Sequence, residues 1–314
     1  MTFPTLNDAL NYHQQKFEVI KRLETIITEQ GYQMIEPAYF ENYDRFIKMH
    51  QRIEKTSMVK LIDAEGNIRV LRPDITTSIM KDLIPKWHNG LKLKLFYNTT
   101  VFVNTKAGIK EQKQFGVEYL GPQTPTTDSE LIAIILEIFN DFNLAFILEV
   151  SHADFLHQLI DNLALDHEQI DTLKDIIYHK NRYALNKFID KNLNQNPSQQ
   201  VLATLFDLQG TLEVIDDKLA NIDLPENIKT TLAQLANYQS QFKNDAVTFD
   251  LSMLSQYDYY SGLIFKGYLA NVPSAVLNGG RYNTQAMGYK KSVPAIGFSF
   301  SLAALLQEVM KNNG

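Results

Sequence analysis

The runs LKLKLFYNTTVFV (residues 91–103) and QKQFGVEYLG (residues 112–121) are where the architecture of this chain is decided. Both are rich in Val, Phe, Tyr and Thr at strand length, so they read as paired strands joined by a loop around Asn104 to Lys110. Upstream, MVKLI and IRVLR flank the turn-rich Asp63-Ala-Glu-Gly-Asn67 and read as a hairpin. Strand signals return late in the chain, in VTFDL, GLIFKGYLA, SAVLNGG and PAIGFSF. Helices frame them. From Asn7 to Gln30 apolar residues recur at helical spacing (Leu10, Phe17, Ile20, Leu23, Ile27), and Gly31 supplies a stop. Pro73 is placed to open the first turn of ITTSIMKDLI. Thr127-Asp-Ser-Glu130 is a capping-box pattern ahead of LIAIILEIF, and LAALLQEVMKN closes the chain.

Between Ser151 and Asp245 the composition changes: Gly210 is the sole glycine, aromatics are few, and Leu, Ile, Asp, Asn and Lys recur at helical spacing. This stretch reads as a mostly helical insertion, residues 151–245, in an α+β core formed by residues 1–150 and 246–314. With 314 residues and 45% hydrophobic composition, the chain can bury a sizeable core. No apolar run is long enough to cross a bilayer, and the N-terminal stretch MTFPTLNDALNYHQQ has no signal-peptide character, so a cytoplasmic location is expected. Absence of cysteine excludes disulfides, thiolate metal sites and a cysteine nucleophile. A formal net charge of −6 gives no global attraction for nucleic acid, and none is expected as a partner.

Generic catalytic patterns are missing: there is no phosphate-binding glycine loop, no His-Glu-x-x-His and no Gly-x-Ser-x-Gly. His152 and His157 lie five apart in a stretch read as helical, which points them to different faces and favours surface residues over metal ligands. No metal, cofactor or catalytic residue is expected. Four stretches remain: LRPDITT (71–77), QFGVEYLG (114–121), YDYYSG (257–262) and LNGGRYN (277–283). The third, within SQYDYYSGLIFKG, has two readings, the wet end of a buried strand or the wall of a binding site.

In this order and spacing the four stretches resemble the catalytic core of histidyl-tRNA synthetase, a class II synthetase with an antiparallel sheet flanked by helices. LRPDIT resembles its Leu-Arg-Pro-Glu-x-Thr segment and QFGVE its Gln-x-Gly-x-Glu strand. YDYYSG resembles its Asp-Tyr-Tyr-Thr-Gly segment, and LNGGRYN its Gly-Gly-Arg-Tyr-Asp segment. Glu36-Pro37, after Gly31-Tyr32, resembles the motif 1 region, which implies self-association through Gly31 to Tyr39.

Activating an amino acid with ATP builds charge on a phosphate that arginines must stabilise. Where the synthetases place three such arginines, this chain has Val103 after Phe102, Ser255 before the Asp-Tyr-Tyr, and Ser301-Leu-Ala-Ala304. The chain also ends where a synthetase would continue into its anticodon-binding domain. Adenylate chemistry is therefore not expected. The amino-acid side of the pocket survives: by resemblance Asp74, Thr76 and Gln114 hold an α-amino group, and Glu118 and Tyr260 reach an imidazole with Tyr259 beside them. Two readings stay open for the acids, since Asp74 fits a helix cap and Glu118 a solvent-facing strand position equally well.

Such a core, with a histidine pocket and no ATP arginines, resembles the regulatory subunit of ATP phosphoribosyltransferase. The resemblance implies a non-catalytic chain, a homodimer within a hetero-oligomer, that activates a short-form catalytic subunit and confers feedback inhibition by L-histidine in the first step of histidine biosynthesis. A synthetase catalytic fragment and a synthetase-derived RNA-binding protein are the alternatives.

Overall fold

A computed structural model describes residues 5–49, 54–122, 124, 126–193, 197–242, 244–254 and 259–312. They fall into two compact units, Met1–Phe146 with Tyr268–Gly279 and Asn283–Gly314, and Ile147–Gly267 with Gly280–Tyr282.

The chain begins with α1 (Leu6–Glu29), opened by a capping box between Thr5 and Asp8 and stopped at Gly31, whose φ of 82° is open to glycine. The second half of the predicted stripe is buried with Val19, Leu23, Ile26 and Ile27, whereas Leu10 and Phe17 face solvent. β1 (Gln33–Met34), β2 (Phe40–Asn42) and α2 (Tyr43–Met49) follow, then the expected hairpin of β3 (Lys60–Ile62) and β4 (Ile68–Leu71) with Ile62 opposite Ile68. Asp63 organises its turn by accepting from the backbone N–H of Glu65 and Asn67 and from Arg69 Nε at 2.9–3.0 Å. The Arg69 and Asn67 bonds hold its carboxyl down at about 2.

α3 (Ile75–Leu83) starts at Ile75 as expected, but Asp74 is its N-cap, so Pro73 precedes the cap and is not part of the first turn. β5 (Leu93–Thr105) lies two residues further along the chain than the sequence suggested, and β6 (Gly108–Leu120) starts earlier and is longer. The pair stays in register to Thr105 opposite Gly108, which leaves Lys106 and Ala107 where a seven-residue loop was expected. α4 (Thr127–Asp141) also corrects a detail. Its N-cap is Thr126, without a side-chain cap bond, and Thr127 Oγ1 instead meets Thr124 Oγ1 at 2.6 Å, so the capping box does not form.

β7 (Phe146–His152) leads to the helical stretch: α5 (Ala153–Asp161), α6 (His167–Tyr178), α7 (Arg182–Asn192), α8 (Pro197–Thr204), the short β8 (Gln209–Gly210), α9 (Leu212–Leu219) and α10 (Glu226–Phe242). His157 is exposed as expected, but His152 is buried at the end of β7 and is not a helical surface residue. The chain closes with β9 (Val247–Asp250), β10 (Tyr260–Leu269), β11 (Leu277–Asn283), β12 (Pro294–Ser301) and α11 (Leu302–Asn312). In the second unit the strand order runs β10-β7-β9-β8, with β7 and β9 parallel.

The first unit holds a mixed run of strands in the order β1-β5-β6-β12, parallel at β1–β5 and antiparallel at the other two pairings, and a three-stranded sheet β2-β4-β3. Successive side chains of a strand point to opposite faces. Register therefore puts Phe96, Phe115, Val117, Phe298 and Phe300 on one face of the β5-β6-β12 sheet. Phe139 of α4 meets Phe300 edge-on at 5.6 Å, and Leu23 and Ile27 of α1 and Leu305 and Leu306 of α11 are likewise buried. The opposite face is the one that carries polar groups.

Candidate functional site

That second face presents Gln114, Gly116 and Glu118 from β6, Tyr97 and Thr99 from β5, and Gly297 and Ser299 from β12. Its glycines have a physical reason. A Cβ on Gly297 would collide with Glu118 Oε2 and would sit 2.5 Å from Val117 O, and a Cβ on Gly116 would collide with the Tyr97 hydroxyl and sit 2.6 Å from Phe298 O. Glycine inside a strand is unfavourable unless something must approach closely, and here two polar side chains do.

Glu118 is 2% exposed, and Thr76 Oγ1 of α3 donates to its Oε1 at 2.6 Å. This corrects the reading of Glu118 as a solvent-facing strand acid. Asp74, also buried, accepts with Oδ2 from the backbone N–H of Thr77 at 2.8 Å and from Thr77 Oγ1 at 2.5 Å, so the helix-cap reading is realised. Gln114 is half-buried on the same face as Glu118. The first unit thus brings Thr76 and Glu118 into direct contact, places Asp74 at the N-cap of the helix that carries Thr76, and keeps Gln114 two same-face positions from Glu118 along β6.

α3 is oriented by Arg72, which is wholly buried. Its Nε donates to Thr100 O at 2.9 Å, its Nη1 to the carbonyls of Pro37 and Ala38, and its Nη2 to Thr99 Oγ1. Burial lowers its pKa from the ordinary value, partly offset by Tyr39 and by the acids Glu36 and Glu41.

The second unit carries the tyrosines. Tyr259 is buried and Tyr260 half-buried, with ring centroids 4.9 Å apart. Tyr282 of β11 stands edge-on to both, at 5.4 Å and 6.3 Å. Gly280 leaves room for this cluster, since a Cβ there would lie 2.8 Å from Tyr260 Cδ1 and from Leu263 O. Gly262, at φ +86°, lies against the side chain of buried Arg281. Within YDYYSG, Tyr260 to Gly262 therefore form the start of β10, and Tyr260 also packs beside Ala153, Met253 and Ile264. Tyr257 and Asp258 lie outside the described residues.

Of the three positions where a synthetase has arginines, Val103 is half-buried in β5 and Leu302–Ala304 open α11. Ser255 lies outside the described residues. Tyr97, Tyr282 and the strand glycines were not singled out as site residues from sequence. A glycine inside the strand-like PAIGFSF was the available signal for Gly297. Chemically, a buried carboxylate steadied by a hydroxyl donor suits a ligand bearing an ammonium or an N–H donor; it offers nothing to a triphosphate. Among the described residues no helix is long and apolar enough to cross a membrane.

The family model for histidyl-tRNA synthetase matches residues 6–305. Among curated proteins, the ATP phosphoribosyltransferase regulatory subunit of Oceanobacillus iheyensis is 27% identical over 297 residues, 93% of this chain and 73% of that protein. That of Clostridium botulinum is 30% identical over 309 residues, 95% of this chain and 73% of that protein. Among solved structures, an ATP phosphoribosyltransferase regulatory subunit/histidyl-tRNA synthetase from Bacillus halodurans matches with a TM-score of 0.84 at 25% identity, covering 95% of this chain and 79% of that one. A chain of the ATP phosphoribosyl transferase complex from Thermotoga maritima matches with a TM-score of 0.68 at 18% identity over 90% of this chain and 96% of that one, a likeness of fold alone.

Proposed function

The chain belongs to the histidyl-tRNA synthetase family and, within it, to the ATP phosphoribosyltransferase regulatory subunits, and from that premise we propose that it binds L-histidine and controls a short-form catalytic subunit in the cytoplasm. It performs no chemistry of its own: it activates the partner and makes it sensitive to histidine. The observation that carries this reading is the buried Thr76–Glu118 pair under Gly297. Burying a carboxylate and placing a glycine inside a strand both cost stability, so the arrangement is better explained by a ligand than by the fold. Asp74, Thr76, Gln114, Glu118, Tyr259 and Tyr260 are the proposed histidine-binding residues, Glu118 accepting from the imidazole and Asp74 accepting from the amine.

Inhibition requires histidine to favour one state of the assembly over another, a coupling of about 1–3 kcal/mol in typical cases. Self-association through Gly31 to Tyr39 belongs to the same reading; Met34 and Tyr39 are exposed there. The apolar or small residues at Val103 and Leu302–Ala304 disfavour adenylate formation, since neither position supplies a cation to the triphosphate. Mixing the chain with a short-form catalytic subunit and following phosphoribosyl transfer tests the proposal. Activation on mixing and its reversal by histidine are expected. A catalytic rate untouched by the chain, or histidyl-adenylate formed by the chain alone in an ATP–pyrophosphate exchange assay, would overturn it.

A further inference from the structure

α3, the helix that delivers Thr76, is tied at both ends to one short segment of chain. Ahead of it, Arg72 grips the carbonyls of Pro37 and Ala38, and its guanidinium lies 4.2 Å from the centre of the Tyr39 ring. In its last turn, Lys81 Nζ donates to both carboxylate oxygens of Glu41, at 2.9 Å and 3.0 Å, and Glu41 is 4% exposed. Between these anchors the segment turns Tyr39 and Phe40 to solvent, 44% and 53% exposed. Two cations thus hold the two ends of one stretch, and the stretch between them is accessible.

An ion pair of this kind contributes little net stability compared with an apolar pair of the same shape, but it fixes direction. Lys81 stands five residues from Thr76, about 7.5 Å along a helix that rises 1.5 Å per residue. A helix this short moves as a rod, so a shift at Lys81 is carried to Thr76. The Thr76–Glu118 bond of 2.6 Å does not survive a displacement of about 1 Å.

We propose that Lys81 is a positioning residue: with Arg72 it straps α3 to Pro37–Glu41, and the strap sets the Thr76–Glu118 geometry on which ligand binding depends. A displacement of Tyr39 and Phe40 is then felt at Glu118. The proposal rests on the histidine reading only for the identity of the ligand.

The test uses the full chain, histidine as the probe, and three variants: Lys81→Met, Lys81→Arg, and Lys81→Met combined with Glu41→Gln. Titration calorimetry gives affinity, thermal unfolding gives stability, and amide hydrogen exchange reports on α3. Lys81→Met is expected to weaken histidine binding about fivefold and to speed exchange at Thr77 to Met80, with Lys81→Arg close to wild type. The double variant removes the stranded buried carboxylate, so its stability recovers while its affinity stays low. Affinity that returns together with stability would make the pair merely structural and overturn the proposal, as would unchanged exchange in α3. Should the wild-type chain bind no histidine, the histidine reading falls by itself, and the exchange data alone decide the strap.

Discussion

The two faces of β6 belong to one strand and follow opposite rules. Toward the helices, Phe115 and Val117 are fully buried among Phe96, Phe298 and Phe300, and every neighbour gains from the contact. On the other face Glu118 is as deeply buried, yet its surroundings are a hydroxyl donor and a glycine. The first face is what apolar burial produces unaided. The second runs against it, with a buried acid and glycines at two strand positions where the close approach of Glu118 and Tyr97 leaves no room for a side chain. What differs is what each face buries: one packs apolar side chains against the helices, and the other buries the Thr76–Glu118 pair on which the proposed histidine site rests.

This comparison breaks if substitutions on the two faces have the same consequences. The largest effect is expected on the helix side, where Phe115→Ala removes a fully buried ring and should lower unfolding free energy by about 3–5 kcal/mol in a urea titration, with histidine affinity of the folded protein little changed. Gly297→Ala, on the polar face, should cost about 1–3 kcal/mol of stability, because Val117 O is main chain and cannot give way, and it should abolish histidine binding by displacing Glu118. Glu118→Gln keeps the shape and removes the charge. It should weaken histidine binding by about 1–3 kcal/mol in calorimetry with at most a small loss of stability. Tyr260→Phe, which removes only a neutral hydroxyl, should weaken binding by about 0.5–1.5 kcal/mol. Equal loss of affinity from Phe115→Ala and Glu118→Gln would erase the distinction between the faces.

Much of the helix-side face was legible in the sequence. The strands QKQFGVEYLG and PAIGFSF, the 58–72 hairpin and the helices α1, α4 and α11 follow from local pattern, since burial and periodicity act over a few residues. The polar face was legible only in part. LRPDITT and QFGVEYLG pointed to Thr76 and Glu118, but the glycine opposite Glu118 comes from a distant strand, and register between strands is not written in either one. The same holds for Lys81 and Glu41, which meet across a separation of 40 residues. Local chemistry also misled where two partners competed: Thr127 bonds Thr124 and so forms no capping box with Glu130, and Pro73, expected in the first turn of α3, stands before the Asp74 cap. His152 escaped because β7 ends at that residue, one position before the helix that the spacing suggested.

The central claim is that the polar face senses histidine on behalf of a partner. It is tested most directly by histidine inhibition curves on the complex of a short-form catalytic subunit with either the wild-type chain or Glu118→Gln. The account predicts equal activation by both chains and an inhibition midpoint for Glu118→Gln raised roughly 5- to 150-fold, the equivalent of the affinity lost at a charged hydrogen bond. An unchanged midpoint would contradict it and place the inhibitory histidine on the catalytic subunit.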